Sequence, residues 1–336
     1  MSAAPAPLVS VIVVNWNGQA HLGRCLAALA AQTFHDFEVI VVDNGSSDGS
    51  AEIVGARWPH YRLLRQDRNL GFAAANNIGA RAARGAWLAL LNNDAFPEPD
   101  WLEKLARATE EHPQYSGFAS CQLSDADPRR LDGAGDAYHT SGLAWRLGQD
   151  EPFGPPWDQA REVFAPCAAA ALYRRADFLE AGGFDEAFFC YFEDVDLAFR
   201  MSLRGARFLY LPQARVRHVG SASIGQKSDL ARYLGHRNLV WTFLKNMPPA
   251  LFWRYLPGHI LFNLMSLIVL GLGGQAPAVW RAKWHALKAL PRVLRERRAI
   301  QRTRTVAAEE LERRMCRGLA ALLHHGARRL RPAQET

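Results

Sequence analysis

The chain has 336 residues, 49% of them hydrophobic, enough for one large domain or two smaller ones around a sizeable core. Its formal net charge of +7 is unevenly spread: residues 276–336 carry 15 Lys+Arg against 5 Asp+Glu, a net of +10, so the other 275 residues sum to −3. The basic character therefore belongs to a tail; with no nucleic-acid motif and few aromatics interleaved, no nucleic-acid partner is expected.

The five cysteines are scattered, odd in number and form no C-x-x-C pair, which argues against a disulfide framework or a zinc site. MSAAPAPLVSVIVV has no basic n-region and reads as a tail entering a first strand rather than a signal peptide. Leu8–Val14 is a continuous β-branched run, the mark of a strand covered on both faces, and it ends at Asn15-Trp16-Asn17-Gly18. Leu22, Leu26 and Leu29 give residues 19–32 helical spacing. A second buried strand, Glu38–Val42, ends at Asp43-Asn44-Gly45. A short helix over 51–57 and a strand over 61–65 follow. Asn69-Leu70-Gly71-Phe72 opens a small-residue helix running through Ala83, and Ala86–Leu91 is another buried strand, ending at Asn92-Asn93-Asp94. Pro97 and Pro99 precede a helix over 100–111.

Strands alternating with helices predict an α/β fold built on a mainly parallel sheet. In such sheets ligands bind beyond the carboxyl ends of the strands, so Asn15, Asp43 and Asp94 should face one crevice. Residues 116–163, rich in Gly, Asp and Pro, read as loops and short strands forming a pocket wall without legible chemistry. Residues 164–173 read as a buried strand.

In GFDEAFFCYFEDVDLAFR, three acids, Glu193, Asp194 and Asp196, fall within four positions. Acids so clustered either start a helix, where its dipole favours them, or serve a cation or a proton transfer. Val195, Ala198, Phe199 and Leu203 give the following residues a helical face. His218 shares a period-two face with Val216 and so points inward.

Each strand-end residue has two readings. Asp43 either accepts from a pyrimidine imide N–H or bonds its own turn. Asp94 either caps the next turn or, with His218, binds a hard cation that neutralises a diphosphate. Gly45-Ser46-Ser47-Asp48-Gly49 matches G-x-S-x-G, so a serine hydrolase using Ser47 is an alternative, although it leaves Asp43 and Asp94 without a task. G-x-G-x-x-G after the first strand and the P-loop are both absent.

After about Ser223 the pattern becomes helical. Residues 250–274 are strongly apolar but hold Arg254, Pro257, His259 and Asn263, and their uninterrupted part, Ile260–Leu272, falls short of the ~20 residues needed to span a bilayer. With the arginines at 292–304 following, a helix pair lying on an anionic membrane surface is expected; a packed core helix is the alternative.

Taken together, VSVIVVNWNG, VVDNGSSDGS, NLGFAAANNIGARAARG, LALLNNDAFPEPDWL, GGFDEAFFCYFEDVDLAFR, HVGSAS (218–223) and HRN (236–238) resemble the family 2 glycosyltransferases of GT-A fold, rhamnosyltransferase-like branch, over about residues 9–245. The resemblance implies a GT-A domain over 1–225, with its nucleotide-sugar part in 1–115 and its acceptor part in 116–225. A helical, membrane-associating region over 226–336 completes the expected organisation.

It further implies an inverting transferase that moves L-rhamnose from dTDP-rhamnose to a glycan or lipid-linked acceptor in cell-surface polysaccharide synthesis. Galactofuranose, glucose, galactose or N-acetylhexosamine from a UDP or GDP donor is the alternative. Asp43 would bind the base and Asn15 would line the same pocket, with Asn69, Gly71, Asn76 and Asn93 on the donor side. Asp94 and His218 would hold Mg²⁺ or Mn²⁺. Asp194 would be the general base, with Glu193 and Asp196 beside it to raise its pKa and orient the acceptor. The motif that usually begins with Asp reads Asn92-Asn93-Asp94, and Asn92 is the weaker ligand. No Q-x-x-R-W block is present, so addition of one or a few sugars is implied, at the cytoplasmic face of the inner membrane and peripherally bound.

Overall fold

A computed structural model describes residues 5–220, 228–272 and 276–322. The first half is a β/α alternation: β1 (Val9–Asn15), α1 (Leu22–Ala30), β2 (Phe37–Asp43), α2 (Ser50–Arg57), β3 (Arg62–Arg65), α3 (Phe72–Ala82) and β4 (Trp87–Asn92). β1 lies between β2 and β4, parallel to both and with all seven residues buried, which is why VSVIVVN is apolar on both faces. β3 continues the parallel set beyond β2.

The second half departs from the expected parallel pattern. β5 (Ala95–Pro97) and α4 (Trp101–Glu111) lead into β6 (Gly117–Ser124), an eight-residue strand with seven residues buried, in the stretch read as irregular. β7 (Leu131–Gly133), β8 (Asp136–Tyr138), β9 (Ala144–Arg146) and β10 (Arg161–Val163) are three-residue strands. They precede β11 (Ala170–Arg174), a shorter strand than residues 164–173 suggested, and α5 (Arg175–Glu180). A 3₁₀ turn (Glu186–Phe188), α6 (Glu193–Leu203) and β12 (Phe208–His218) complete the sheet.

The strand order is β10-β12-β6-β11-β4-β1-β2-β3, with β11 antiparallel to both β4 and β6, so the sheet is mixed. No helix lies between β6 and β11, and parallel neighbours need a crossover of a dozen or more residues, usually helical. β6 and β12 are parallel, which brings Ser124 level with His218 at the sheet's open end.

The helices after the sheet are α7 (Asp229–Asn246), α8 (Pro249–Leu272), α9 (Ala276–Lys288), α10 (Leu290–Arg302) and α11 (Ala308–Arg313). The expected boundary at 225/226, the end of the HVGSAS block and the tail beyond 322 lie outside the described residues.

α7 is packed into the preceding part of the chain by a buried charge cluster. Lys245, 3% exposed, donates to Asp185 at 2.6 Å and to Asp196, which also accepts from Arg200 at 2.8 Å and Asn246 at 2.8 Å. Arg292 of α10 reaches Asp185 as well. Burial opposes the Asp185 charge, but Lys245 and Arg292 outweigh it and hold its carboxyl at about 2.

Candidate active site

Three strands deliver polar residues to one edge. Asn15, fully buried at the end of β1, donates from Nδ2 to Asp43 (3.1 Å), Ser46 (3.1 Å) and Ser50 (2.8 Å), while its Oδ1 accepts from Asn93 (2.9 Å). One amide thus joins the turns after β1, β2 and β4. Gly18 packs so closely on Asn15 and Asn93 that a side chain there would collide with both amides.

Asn44 ties this edge to the turn before α3, bonding Asn69 at 2.9 Å and the Leu70 N–H at 2.9 Å, and Asn69 in turn accepts from the Gly71 N–H. Of the expected donor-side residues, Asn15, Asp43 and Asn93 are in direct contact. Asn69 and Gly71 form the adjacent turn. Asn76 donates back to the Phe72 carbonyl inside α3 at 2.9 Å.

Beside this edge, His218 at the end of β12 presents Nε2 to Asp94 Oδ1 at 3.2 Å and to the Asn92 amide at 3.3 Å; its Nδ1 lies 2.8 Å from Asp132 Oδ2. Burial alone would depress the imidazole, but its bonds to the two aspartates and their charges push it up to about 9. Asp132 is held down at about 2 because Arg146 and His218 outweigh its burial.

A carboxylate, an imidazole and an amide carbonyl form a donor set suited to Mg²⁺ or Mn²⁺. Asn92 Oδ1 is buried with no hydrogen-bond partner among the described residues, and turning that amide over would aim it at the same point. A proton on His218 and a divalent cation are alternative ways to balance Asp94 and Asp132, so these residues fit a cation.

Asp132 continues the contact chain. It accepts from Arg146 at 2.5 Å, and Arg146 reaches Cys167 Sγ at 3.1 Å. Ligand atoms of Cys167, Asp136 and Asp194 all lie within 4.8 Å of one another. Contacts therefore run from Asp94 through His218, Asp132 and Arg146 to Cys167, and the Asp194 carboxylate lies near that end, within 4.8 Å of the thiol.

Burial raises the Asp136 and Glu193 carboxyls well above the ordinary range, aided in each case by the Asp194 charge. Asp194 is raised too, again by burial, but backbone N–H groups of Ala168 (3.2 Å) and Val195 (2.8 Å) and the Arg146 charge oppose the shift. Of the three, Asp194 is the carboxylate best equipped to be ionised. Glu193 Oε2 is buried without a partner among the described residues.

Asp196 does not join this group. Its carboxylate is fully buried and committed to Arg200, Lys245 and Asn246, so it holds α6 and α7 together instead of orienting an acceptor. The serine hydrolase alternative gains no support: both ring nitrogens of His218 are engaged by Asp132, Asp94 and Asn92, none of them Ser47.

Asp132, Asp136, Arg146 and Cys167 were not legible as site residues. The one available signal was the pairing of Asp132 and Asp136 around Gly-Ala-Gly in a loop-rich stretch.

The loop leading to Glu193 is unusual. Phe189, Tyr191 and Phe192 have φ of 67°, 67° and 69°, a region that costs a non-glycine residue on the order of 1–3 kcal/mol each. Such cost persists only where surroundings impose it.

A β/α sheet with β1 between β2 and β4, and polar residues gathered at the carboxyl ends of those three strands, places the protein in the GT-A class of glycosyltransferase folds. The model described as glycosyl transferase family 2 matches residues 10–178, half of the chain, and the protein belongs to that family.

An N-acetylglucosaminyl-diphospho-decaprenol L-rhamnosyltransferase of Mycobacterium tuberculosis is 30% identical over 273 residues, covering 74% of this chain and 87% of that one. Among solved structures, the mannosyltransferase PcManGT from Pyrobaculum calidifontis, in complex with GDP-Man and Mn²⁺, superposes with a TM-score of 0.54 at 19% identity, over 97% of this chain and 82% of that one. GalNAc-T7 with UDP, GalNAc and Mn²⁺ gives 0.57 at 19% identity, over 71% of this chain and 48% of that one.

Proposed function

We propose that the protein is an inverting, metal-dependent rhamnosyltransferase that moves L-rhamnose from dTDP-L-rhamnose to a lipid-linked glycan at the cytoplasmic membrane face. The observation that carries it is the run of contacts from Asp94 and His218 through Asp132 and Arg146 to Cys167, with Asp194 beside its far end, which supports reading a cation-binding end and a basic end in one site. The sugar and acceptor are taken from those of the mycobacterial relative.

In this reading Asp43 accepts the imide N–H of the thymine, and Asn15 and Asn93 fix the geometry of that pocket. Asp94, His218 and the Asn92 carbonyl hold Mg²⁺ or Mn²⁺, which when bound supplies the positive charge that neutralises the departing diphosphate. Asp132 holds the Nδ1 proton of His218, leaving Nε2 for the cation. Asp194 takes the proton of the acceptor hydroxyl as its oxygen bonds to the anomeric carbon. The bond from that carbon to the diphosphate breaks on the opposite side, and the electron pair leaves with dTDP. Glu193 and Asp136, whose carboxyls burial pushes well above the ordinary range, flank Asp194 as the less readily ionised members of the group.

A panel of dTDP-L-rhamnose, UDP-sugars and GDP-sugars, each with Mn²⁺ or with chelator, tests the reading by thermal stabilisation and turnover. The expected result is that dTDP-L-rhamnose stabilises most, and only with metal. A UDP- or GDP-sugar preference, or indifference to chelator, would overturn the donor or the metal assignment respectively.

The membrane part of the proposal has its own support. α8 exposes Ile260, Leu261, Leu264, Met265, Ile268 and Val269 at helical spacing, and α9 exposes Trp280, Trp284 and Leu287. No helix among the described residues is long and apolar enough to cross a bilayer, so these stripes suit the interface. Exposed Arg295 and Arg298 on α10 add charge for anionic headgroups. Cosedimentation with phosphatidylglycerol-containing vesicles is expected, weakened by Leu261→Glu/Leu264→Glu and by high salt. Equal recovery of both proteins in the supernatant would refute membrane docking through α8.

A further inference from the structure

The HRN tripeptide, 236–238, lies on α7, outside the sheet, yet it reaches the strained loop that precedes the carboxylate cluster. Asn238 is fully buried. Its Nδ2 donates to the carbonyls of Phe188 (3.1 Å), Cys190 (3.0 Å) and Tyr191 (2.7 Å). Two amide hydrogens thus serve three carbonyls of one loop. The orientation of that amide is fixed from its other end, where Oδ1 accepts from Arg237 Nε at 2.9 Å. Arg237 Nη2 adds bonds to the carbonyls of Ala187 and Phe188, each at 3.0 Å, and its guanidinium stacks 4.2 Å over Trp241.

The loop is held from its far side as well. The Phe189 carbonyl accepts from Ala73 N–H at 3.1 Å at the start of α3. Gly71, with φ of +89°, sits so close that a Cβ there would lie 2.5 Å from the Phe189 ring. The loop is therefore gripped between the donor-side turn and α7, and its last residue, Phe192, is directly followed by Glu193 and Asp194.

We infer that Arg237 and Asn238 are positioning residues: they clamp the 188–192 loop in its left-handed conformation and thereby fix Asp194 against the donor side of the crevice. The bonds run to carbonyls, which only a donor can satisfy, and the loop's own aromatic residues would relax to negative φ without them. Neither side chain needs to touch a substrate for this.

This rests on the reading of Asp194 as the base, and the test separates the two. Asn238→Asp keeps size and the Arg237 bond but offers no hydrogen to the carbonyls; Asn238→Ala removes the group altogether. With dTDP-L-rhamnose and an N-acetylglucosaminyl-diphospho-polyprenol acceptor, both are expected to lower kcat by roughly 10²-fold, the scale of a displaced catalytic group. The dTDP affinity measured calorimetrically with Mn²⁺ should change less than threefold, and amide hydrogen exchange should accelerate over 188–194 alone.

A kcat within twofold of wild type in both variants, or exchange unchanged over 188–194, would overturn the clamp. So would dTDP affinity and protection across the whole sheet falling in step with kcat, the signature of a general folding role. Asp194→Asn is assayed alongside. If it is as active as wild type, the base reading fails and the clamp is judged on hydrogen exchange; if it is inactive while both Asn238 variants are unimpaired, the clamp alone fails.

Discussion

Asp194→Asn is expected to lower kcat by roughly 10²–10⁴-fold, the usual contribution of a general base, while leaving the affinity for dTDP and the melting temperature close to wild type. The substitution is nearly isosteric, and the amide oxygen can still accept from one of the two N–H groups, of Ala168 or Val195, that the carboxylate serves. What it loses is the ability to take a proton. Glu193→Gln is expected to cost less, because burial and the neighbouring Asp194 charge already push the Glu193 carboxyl well above its ordinary range, towards the neutral form that the amide mimics.

The sign of the pH dependence follows from the same environment. A base must be ionised to act, and burial raises the Asp194 carboxyl above its ordinary value. The acid limb of kcat/KM should therefore lie at higher pH than an exposed aspartate would give, and activity is lost as pH falls through that raised pKa. An Asp194→Asn protein turning over near the wild-type rate would remove the base assignment.

How much of this was visible in the sequence depended on whether a residue's partners were near it in the chain. β1, β2 and β4 announce themselves as unbroken apolar runs, because a central parallel strand is buried on both faces, and the polar residues just after them then mark the crevice. β6 does not: GFASCQLS is small and partly polar, and it is buried only because β11 and β12 flank it.

The site shows the same division. Asp194 and His218 stand out locally. Asp132 gains its role through a histidine 86 residues away and Arg146 through Cys167, which no local pattern encodes. Asp196, two residues beyond Asp194 on a helix, lies roughly 200° around the axis and faces the opposite side, which the spacing alone allowed one to read. There Lys245 and Arg200 already wait for it.

Asp94→Asn is expected to remove the metal-dependent stabilisation by dTDP and to lower turnover by roughly 10³-fold or more, since charge neutralisation by a Lewis acid is worth several kcal/mol. The first residue of the motif is already Asn92, so Asp94 supplies its only carboxylate, and a second amide would leave the imidazole of His218 as the one strong ligand. Asp132→Asn should cost about 10–100-fold in Mn²⁺ affinity, the usual weight of a group that orients a ligating histidine. Because Asp94 and Asp132 act on the two nitrogens of one ring, the double variant should lose less than the product of the single effects. Asn92→Asp should act in the opposite direction, tightening Mn²⁺ binding by adding a carboxylate where Oδ1 now lacks a partner among the described residues. Calorimetric titration of Mn²⁺ into wild type and the four variants, with and without dTDP, reads all of these. An Asp94→Asn protein that binds Mn²⁺ as wild type does would place the cation elsewhere, whatever the activity of the variants.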